Sequence, residues 1–191
     1  MPVLDLRNRF GTCAWPPETK PQEISSFRLE EFSDWYIRVY CEPFDLDVEI
    51  CEQWIHRHWG CGWSFIPLNL IKWHVEYWPP SYFLDHVKTW RGGADRFNPD
   101  FDYNVFTVDM PDGIHPTSSA LNNGYWDYAP LVLETGGGFI DTIGDRVDCE
   151  YVLIEGHQRR RYLNALVHRG VELPNQKVFV FTKDTLANIC D

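Results

Sequence analysis

Basic residues are scarce in this chain: 17 lysines and arginines stand against 28 aspartates and glutamates, a formal net charge of −11 at pH 7. A protein that grips nucleic acid over its whole surface needs a positive field, so broad electrostatic attraction to DNA or to an anionic membrane is excluded. Any anion has to be held locally, by a few arginines or by the start of a helix. Long apolar runs are missing as well. No stretch approaches the roughly 20 uninterrupted apolar residues of a bilayer span, and the first ten residues carry charges where a secretory leader needs an apolar segment. Repeats and low-complexity tracts are absent. The six cysteines (Cys13, Cys41, Cys51, Cys61, Cys149, Cys190) form no C-x-x-C pair and no dense small-scaffold spacing. These features predict a cytoplasmic protein with free thiols and no membrane span.

Aromatic residues, by contrast, are abundant, at 16 % with nine tryptophans. The chain's 44 % hydrophobic and 24 % charged residues are an ordinary globular balance, and 191 residues suit one domain. Leu29, Phe32, Trp35, Tyr36 and Val39 recur at spacings of three and four, which predicts an amphipathic helix over 26–41. A second helix is expected over 46–59, ended by Gly60 and Gly62, and a short one over 81–90. Residues 103–108 have the β-branched and aromatic content of a strand, and 111–127 read as loop, beginning with the turn Pro111-Asp112-Gly113. Leu131-Val132-Leu133-Glu134, residues 149–154 and Val178-Phe179-Val180-Phe181 read as strands, with a helix over 157–167 stopped by Gly170. The class implied is α+β: a helical, tryptophan-rich part over 1–110 and a strand-rich core over 111–191, expected to form one compact unit.

The helix after Gly156 carries the chemistry. At about 100° per residue, Tyr162, Leu163, Leu166 and Val167 share one face, and Arg159 projects onto its centre. Arg161, Asn164 and His168 fall on the solvent side, with Arg160 at the boundary. A desolvated guanidinium without a partner costs several kcal/mol, so Arg159 must meet either an internal carboxylate (Glu134, Glu150 or Glu155) or a bound phosphate. Gly156 suits the phosphate, because it leaves the unpaired amides of a helix start open to close approach. The glycine can equally serve only the turn, with Arg159 in a structural salt bridge.

The stretch Tyr151-Val152-Leu153-Ile154-Glu155-Gly156-His157-Gln158-Arg159-Arg160-Arg161-Tyr162 resembles the strand–G-x-x-R–helix signature of the ParB/sulfiredoxin superfamily, over roughly residues 120–185. The resemblance implies a ParB/sulfiredoxin-like mixed sheet with packed helices. It also implies a nucleotide, ATP or another NTP, whose phosphates rest on Gly156, His157, Gln158, Arg159 and Arg160. His157 stands where sulfiredoxins carry the catalytic cysteine and ParB proteins a glutamate, so sulfinic-acid reduction and CTP switching are not expected. No helix-turn-helix module follows residue 185, so any DNA is contacted only locally. Short stand-alone members of the superfamily act in plasmid fertility inhibition. That likeness implies ATPase and DNase activity and a block on DNA transfer, with a protein partner in a conjugation or secretion system. In such a hydrolase Arg159 and Arg160 would neutralise phosphate, Glu155 would orient water and His157 would act as acid or base. Glu134 with Glu155 would be the carboxylates for a Mg2+ ion.

Other constellations carry less. Cys51, His56, His58 and Cys61 match no paired zinc-ligand spacing. The tryptophans from Trp54 to Trp90 have little basic interleaving and read as core with a share of protein interface, the candidate contact for a partner. Asp95, Asp100, Asp102 and Asp109 read as solvated loop carboxylates, and Gly136-Gly137-Gly138 lacks the lysine and serine or threonine of a P-loop.

Overall fold

A computed structural model of the chain describes residues 3–26, 28–39, 44–91, 98–108 and 115–187. The predicted turn at Pro111-Asp112-Gly113, the carboxylates Asp95 and Asp109, and the thiols Cys41 and Cys190 lie outside the described residues.

The N-terminal part opens with a short strand β1 (Leu4–Asp5) and the antiparallel pair β2 (Glu23–Ser25) and β3 (Arg28–Leu29). Helix α1 (Phe32–Val39) therefore occupies only the second half of the predicted 26–41 helix. Asp47 caps the next helix by accepting from the Glu49 amide at 2.8 Å. This helix, α2 (Val48–Ile50), widens at once into a π-helical turn over Cys51–His56. The tryptophan cluster then yields an edge strand, β4 (Trp73–Trp78), followed by α3 (Pro80–His86) and β5 (Val87–Thr89). The expected 81–90 helix thus ends early and turns into a strand.

Two expectations are overturned by helix starts. Residues 103–108 belong to α4 (Pro99–Thr107), where Asn98 caps by accepting from the Phe101 amide at 3.0 Å and Pro99 occupies the first turn. Local capping outweighs the strand preference of Tyr103, Val105 and Phe106. The presumed loop at 111–127 contains α5 (Pro116–Asn122), started the same way by Pro116, with the His115 ring as its cap.

Strand β6 (Leu131–Glu134) is followed by β7 (Phe139–Ile140) and β8 (Arg146–Val147), then by β9 (Tyr151–Glu155), α6 (His157–His168), β10 (Gln176–Phe181) and α7 (Asp184–Ala187); β6, β9, α6 and β10 follow the sequence closely, while β7, β8 and α7 are additional to it. Five strands form one mixed sheet in the order β4-β10-β6-β9-β5. Within it β10 runs parallel to β6 and β5 parallel to β9, while the β4–β10 and β6–β9 pairs are antiparallel. Both outer strands come from residues 1–110 and the three inner ones from 111–191, so the two parts interleave in one sheet. A smaller sheet orders β1-β7-β8. The architecture is α+β.

Alternation along the inner strands divides the core. Leu131, Leu133, Val152, Ile154, Phe179 and Phe181 face an aromatic layer that includes Trp15, Trp35, Trp54 and Trp63. Val132, Leu153, Val178 and Val180 face α3, α4, α5 and α6 through Phe83, Phe106, Leu121, Tyr162, Leu163 and Leu166. Five of the nine tryptophans are buried and the other four are half-buried, so the ring cluster is mainly core. Asp102 is also buried rather than solvated, and it is ion-paired with Arg161, which the helical wheel had placed toward solvent. Among the described residues, no helix is long and apolar enough to cross a membrane.

Candidate functional site

Strand β9 ends at Glu155, and the chain turns into α6 through Gly156 at φ 106°. The turn requires glycine twice over. That φ is strained for any side chain, and a Cβ here would sit 3.1 Å from the Pro130 Cβ. Pro130 cannot retreat easily, because its carbonyl accepts from the Phe179 amide at 3.0 Å inside the sheet. No side chain caps the start of α6. Of the residues that follow, Gln158 is exposed, His157 half-buried, and Arg159 and Arg160 buried.

Arg159 is paired within the protein. Its Nε donates to Asp127 Oδ1 at 2.9 Å and an Nη to Gln53 Oε1 at 3.3 Å; Glu155 lies 3.7 Å away and the Tyr128 ring 5.5 Å. Of the two kinds of partner expected for this buried charge, the protein supplies carboxylates: Glu155, one of the three named from the sequence, and Asp127, which was not among them. The π-helical turn contributes directly, carrying Gln53 inward, where its amide nitrogen also donates to the Ala129 carbonyl at 2.8 Å.

Two further candidates are not brought to this point. Arg160 turns the other way, donating to the Leu84 and Val87 carbonyls at 3.3 and 3.0 Å, beside the junction of α3 and β5. Glu134 pairs across the ladder with Tyr151 and Glu155 with Leu131, so the two carboxylates occupy opposite ends of β9, roughly 13 Å apart. They cannot share an ion. Glu134 instead accepts from the Lys183 amide at 2.9 Å.

The space expected above Gly156 is there. A cleft of about 560 Å³ opens over the start of α6, walled by residues 155–159, by Asp127 and Tyr128, by Arg57 and His58, and by the start of α5. His58, absent from the sequence-level site, places its Nε2 3.6 Å from a Glu155 oxygen. Arg57 lies over the Tyr128 ring at 4.5 Å and donates to its hydroxyl at 3.0 Å, while that hydroxyl donates to Glu52 at 2.7 Å. Burial, and then the donation to Glu52, push the Tyr128 hydroxyl above its ordinary pKa, so it stays a neutral donor. His115 Nδ1 accepts from the Thr117 amide at 3.2 Å, which leaves any ring proton on Nε2. Thr117 Oγ1 donates to the second oxygen of Asp127 at 3.1 Å.

The cleft thus gathers two arginines, three histidines and an uncapped helix start, against Glu155 and Asp127. Fixed donors of this kind suit a phosphate or phosphodiester. A Mg2+ ion fits less well, because both carboxylates are committed to basic partners and no described group of three His, Cys, Asp or Glu is placed to hold a metal. No protein-family model, curated protein or solved structure matches the chain.

Proposed function

We propose that this chain binds nucleotides or nucleic-acid phosphates at the start of α6 and hydrolyses them. In this reading it is an ATPase (or other NTPase) and deoxyribonuclease of ParB/sulfiredoxin-like fold, and it resembles Osa, a plasmid fertility-inhibition protein that blocks DNA transfer. The observation that carries the reading is the β9–Gly156–α6 turn opening into a cleft lined by Arg57, Arg159, His58, His115 and His157. The uncapped amides at the start of α6 and Arg57 would receive the phosphate oxygens. Arg159, fixed by Asp127 and Gln53, supplies a preorganised positive charge rather than a mobile one. Glu155 with His58 forms a carboxylate–imidazole pair able to orient and deprotonate a water, and His157 at the cleft edge is the candidate acid for the leaving oxygen. The net charge of −11 confines any DNA contact to this cleft.

The clean test is Gln158→Glu, because Gln158 is exposed at the first turn of α6. A carboxylate there suits the helix dipole by about 0.3–1 kcal/mol, so folding is kept. It also stands against an incoming phosphate at roughly 5 Å, costing about 1–3 kcal/mol in binding. Calorimetry with ATP, CTP and GTP, with and without magnesium, together with hydrolysis and plasmid-nicking assays, should show five- to hundredfold weaker binding and reduced turnover. Identical affinity and activity in the two proteins would defeat the proposal.

A second reading, a non-enzymatic inhibitor that works by contact with a conjugation or secretion component, draws on exposed Ile24 and Ile37 in the N-terminal layer. Ile24→Ser and Ile37→Ser should then abolish inhibition of DNA transfer while leaving nucleotide hydrolysis intact. Undiminished inhibition rules this reading out.

A further inference from the structure

The large sheet leaves one long border open. Strand β4 is its last strand, and among the described residues no strand pairs with its outer side. From Trp73 to Trp78 it runs in register against β10 without a bulge. One bond tells which backbone groups face outward. The Thr182 amide donates to the Lys72 carbonyl at 2.8 Å, which makes Lys72 and Thr182 a hydrogen-bonded pair of the same ladder. Alternation then turns the N–H and C=O groups of His74, Glu76 and Trp78 toward β10, and those of Trp73, Val75 and Tyr77 toward the open side.

Exposed edges are ordinarily guarded by lysine, proline, a bulge or shortness. Strand β4 has none of these within its span; Lys72 and Pro79-Pro80 stand just outside it. On one face it carries Val75, 38 % exposed, and Tyr77, 64 % exposed, beside half-buried Trp73. On the other face His74 Nε2 lies 2.7 Å from a Glu76 carboxylate oxygen. The Trp78 indole, and then His74, hold that carboxyl below the usual range, so it stays an anion.

This edge is complementary to itself. Laid antiparallel on a copy about a two-fold axis at Val75, it sets Val75 against the partner's Val75 and Trp73 against the partner's Tyr77, so every outward N–H meets an outward C=O. His74 then faces the partner's Glu76, and Glu76 the partner's His74, which joins two imidazole–carboxylate pairs into one group across the axis. Other registers are worse. A slip of two residues sets His74 on His74 or Glu76 on Glu76, and a slip of one sets outward groups against inward ones. We propose that β4 is the pairing edge of a symmetric dimer, and that its occupant is the β4 strand of a second copy of this chain. Pro79 ends the shared ladder, and the opposite border, β5, is only three residues long, so assembly closes at two chains. The dimer is independent of the phosphate reading, since β4 contributes no wall to the cleft over α6.

The full-length protein is examined by sedimentation equilibrium from micromolar to submillimolar concentration. Its mass should rise from one chain to two and no further. Val75→Pro removes an N–H that faces outward and leaves the β10 ladder its bonds, so it should weaken the dimer at least about tenfold while thermal melts show the fold retained. Glu76→Lys and His74→Glu provide the sharper test. Alone, each sets mismatched groups together across the axis, His74 on lysine in the first and glutamate on glutamate in the second, and each should dimerise at least about tenfold more weakly than wild type. Mixed, they set lysine against glutamate and His74 against Glu76, so the mass should climb back toward two chains. A wild type that stays monomeric at every concentration, or grows beyond two chains, overturns the proposal. So does a dimer indifferent to Val75→Pro, or a mixture of the two charge variants no heavier than its components.

Discussion

Asp127→Asn keeps the shape of the side chain and removes its charge, so it asks directly whether the Arg159 ion pair occupies a place that phosphate can take. Arg159 is 8 % exposed and Asp127 20 %, with Nε to Oδ1 at 2.9 Å. Breaking a buried pair by neutralising one partner costs about 3–5 kcal/mol. Three features here reduce that figure: Gln53 keeps its contact at 3.3 Å, Glu155 remains at 3.7 Å, and the asparagine oxygen can still accept from Arg159. A loss of about 2–3 kcal/mol is therefore expected, or about 4–12 °C in Tm for a chain of this size. The freed guanidinium faces an open cleft, so phosphate or pyrophosphate should recover part of the loss by binding only the folded state. The assay is thermal unfolding of both proteins across a pyrophosphate series at constant ionic strength. The expected pattern is a lower Tm for Asp127→Asn without ligand and a steeper rise with ligand than in the wild type. A variant as stable as wild type, or parallel ligand curves, would refute the view that Asp127 and an external anion compete for Arg159.

Gly156→Ala should cost about 1–2 kcal/mol through the positive φ alone, with the contact to Pro130 adding to it, and lower Tm by about 2–8 °C in a calorimetric scan. Glu30 is predicted to give the fold an acid-sensitive element: Arg38, and then the Gln22 amide, hold its carboxyl below the usual range. Its folded pKa lies under the unfolded one, so the contribution is complete above the ordinary carboxylate pKa and is lost as pH falls through the folded value. Urea unfolding at several pH values should show Glu30→Gln less stable at pH 7 and with a flatter decline toward pH 3. Burial pushes the Cys149 thiol up to about 11, so at pH 8 iodoacetamide should modify exposed Cys13 and Cys61 well before Cys149, read by mass spectrometry of the native protein.

The strands at 131–134, 151–155 and 176–181 were legible because continuous β-branched and aromatic runs are what a sheet buried on both faces demands. The helix from His157 was legible from its apolar stripe, down to the burial of Arg159. Helix α4 was hidden because Tyr103, Val105 and Phe106 suit a strand, while the deciding signals, Asn98 and Pro99, lie upstream of that strand-like stretch. Strand β4 was hidden for a related reason: at an edge, Trp73 to Trp78 follow no clean alternation of burial. At the site, Gly156, the open space above it and Glu155 as a neighbour of Arg159 were foreseen, and the closer partner Asp127 was not. Asp127 stands 32 residues away in a segment without periodicity, and His58 reaches Glu155 only through the packing of the π-helical turn against the sheet. Pairings of this kind are tertiary, and no local spacing encodes them.

The interleaving of the large sheet has a practical corollary. A fragment spanning 111–191 would keep β6, β9 and β10 but lose the flanking strands β4 and β5. The outward N–H and C=O rows of Gln176–Phe181 and Tyr151–Glu155 would then stand bare, with Phe179, Phe181, Val152 and Ile154 stripped of their aromatic cover. Naked hydrophobic borders of that sort recruit other chains, so the excised piece should precipitate rather than function as a portable module.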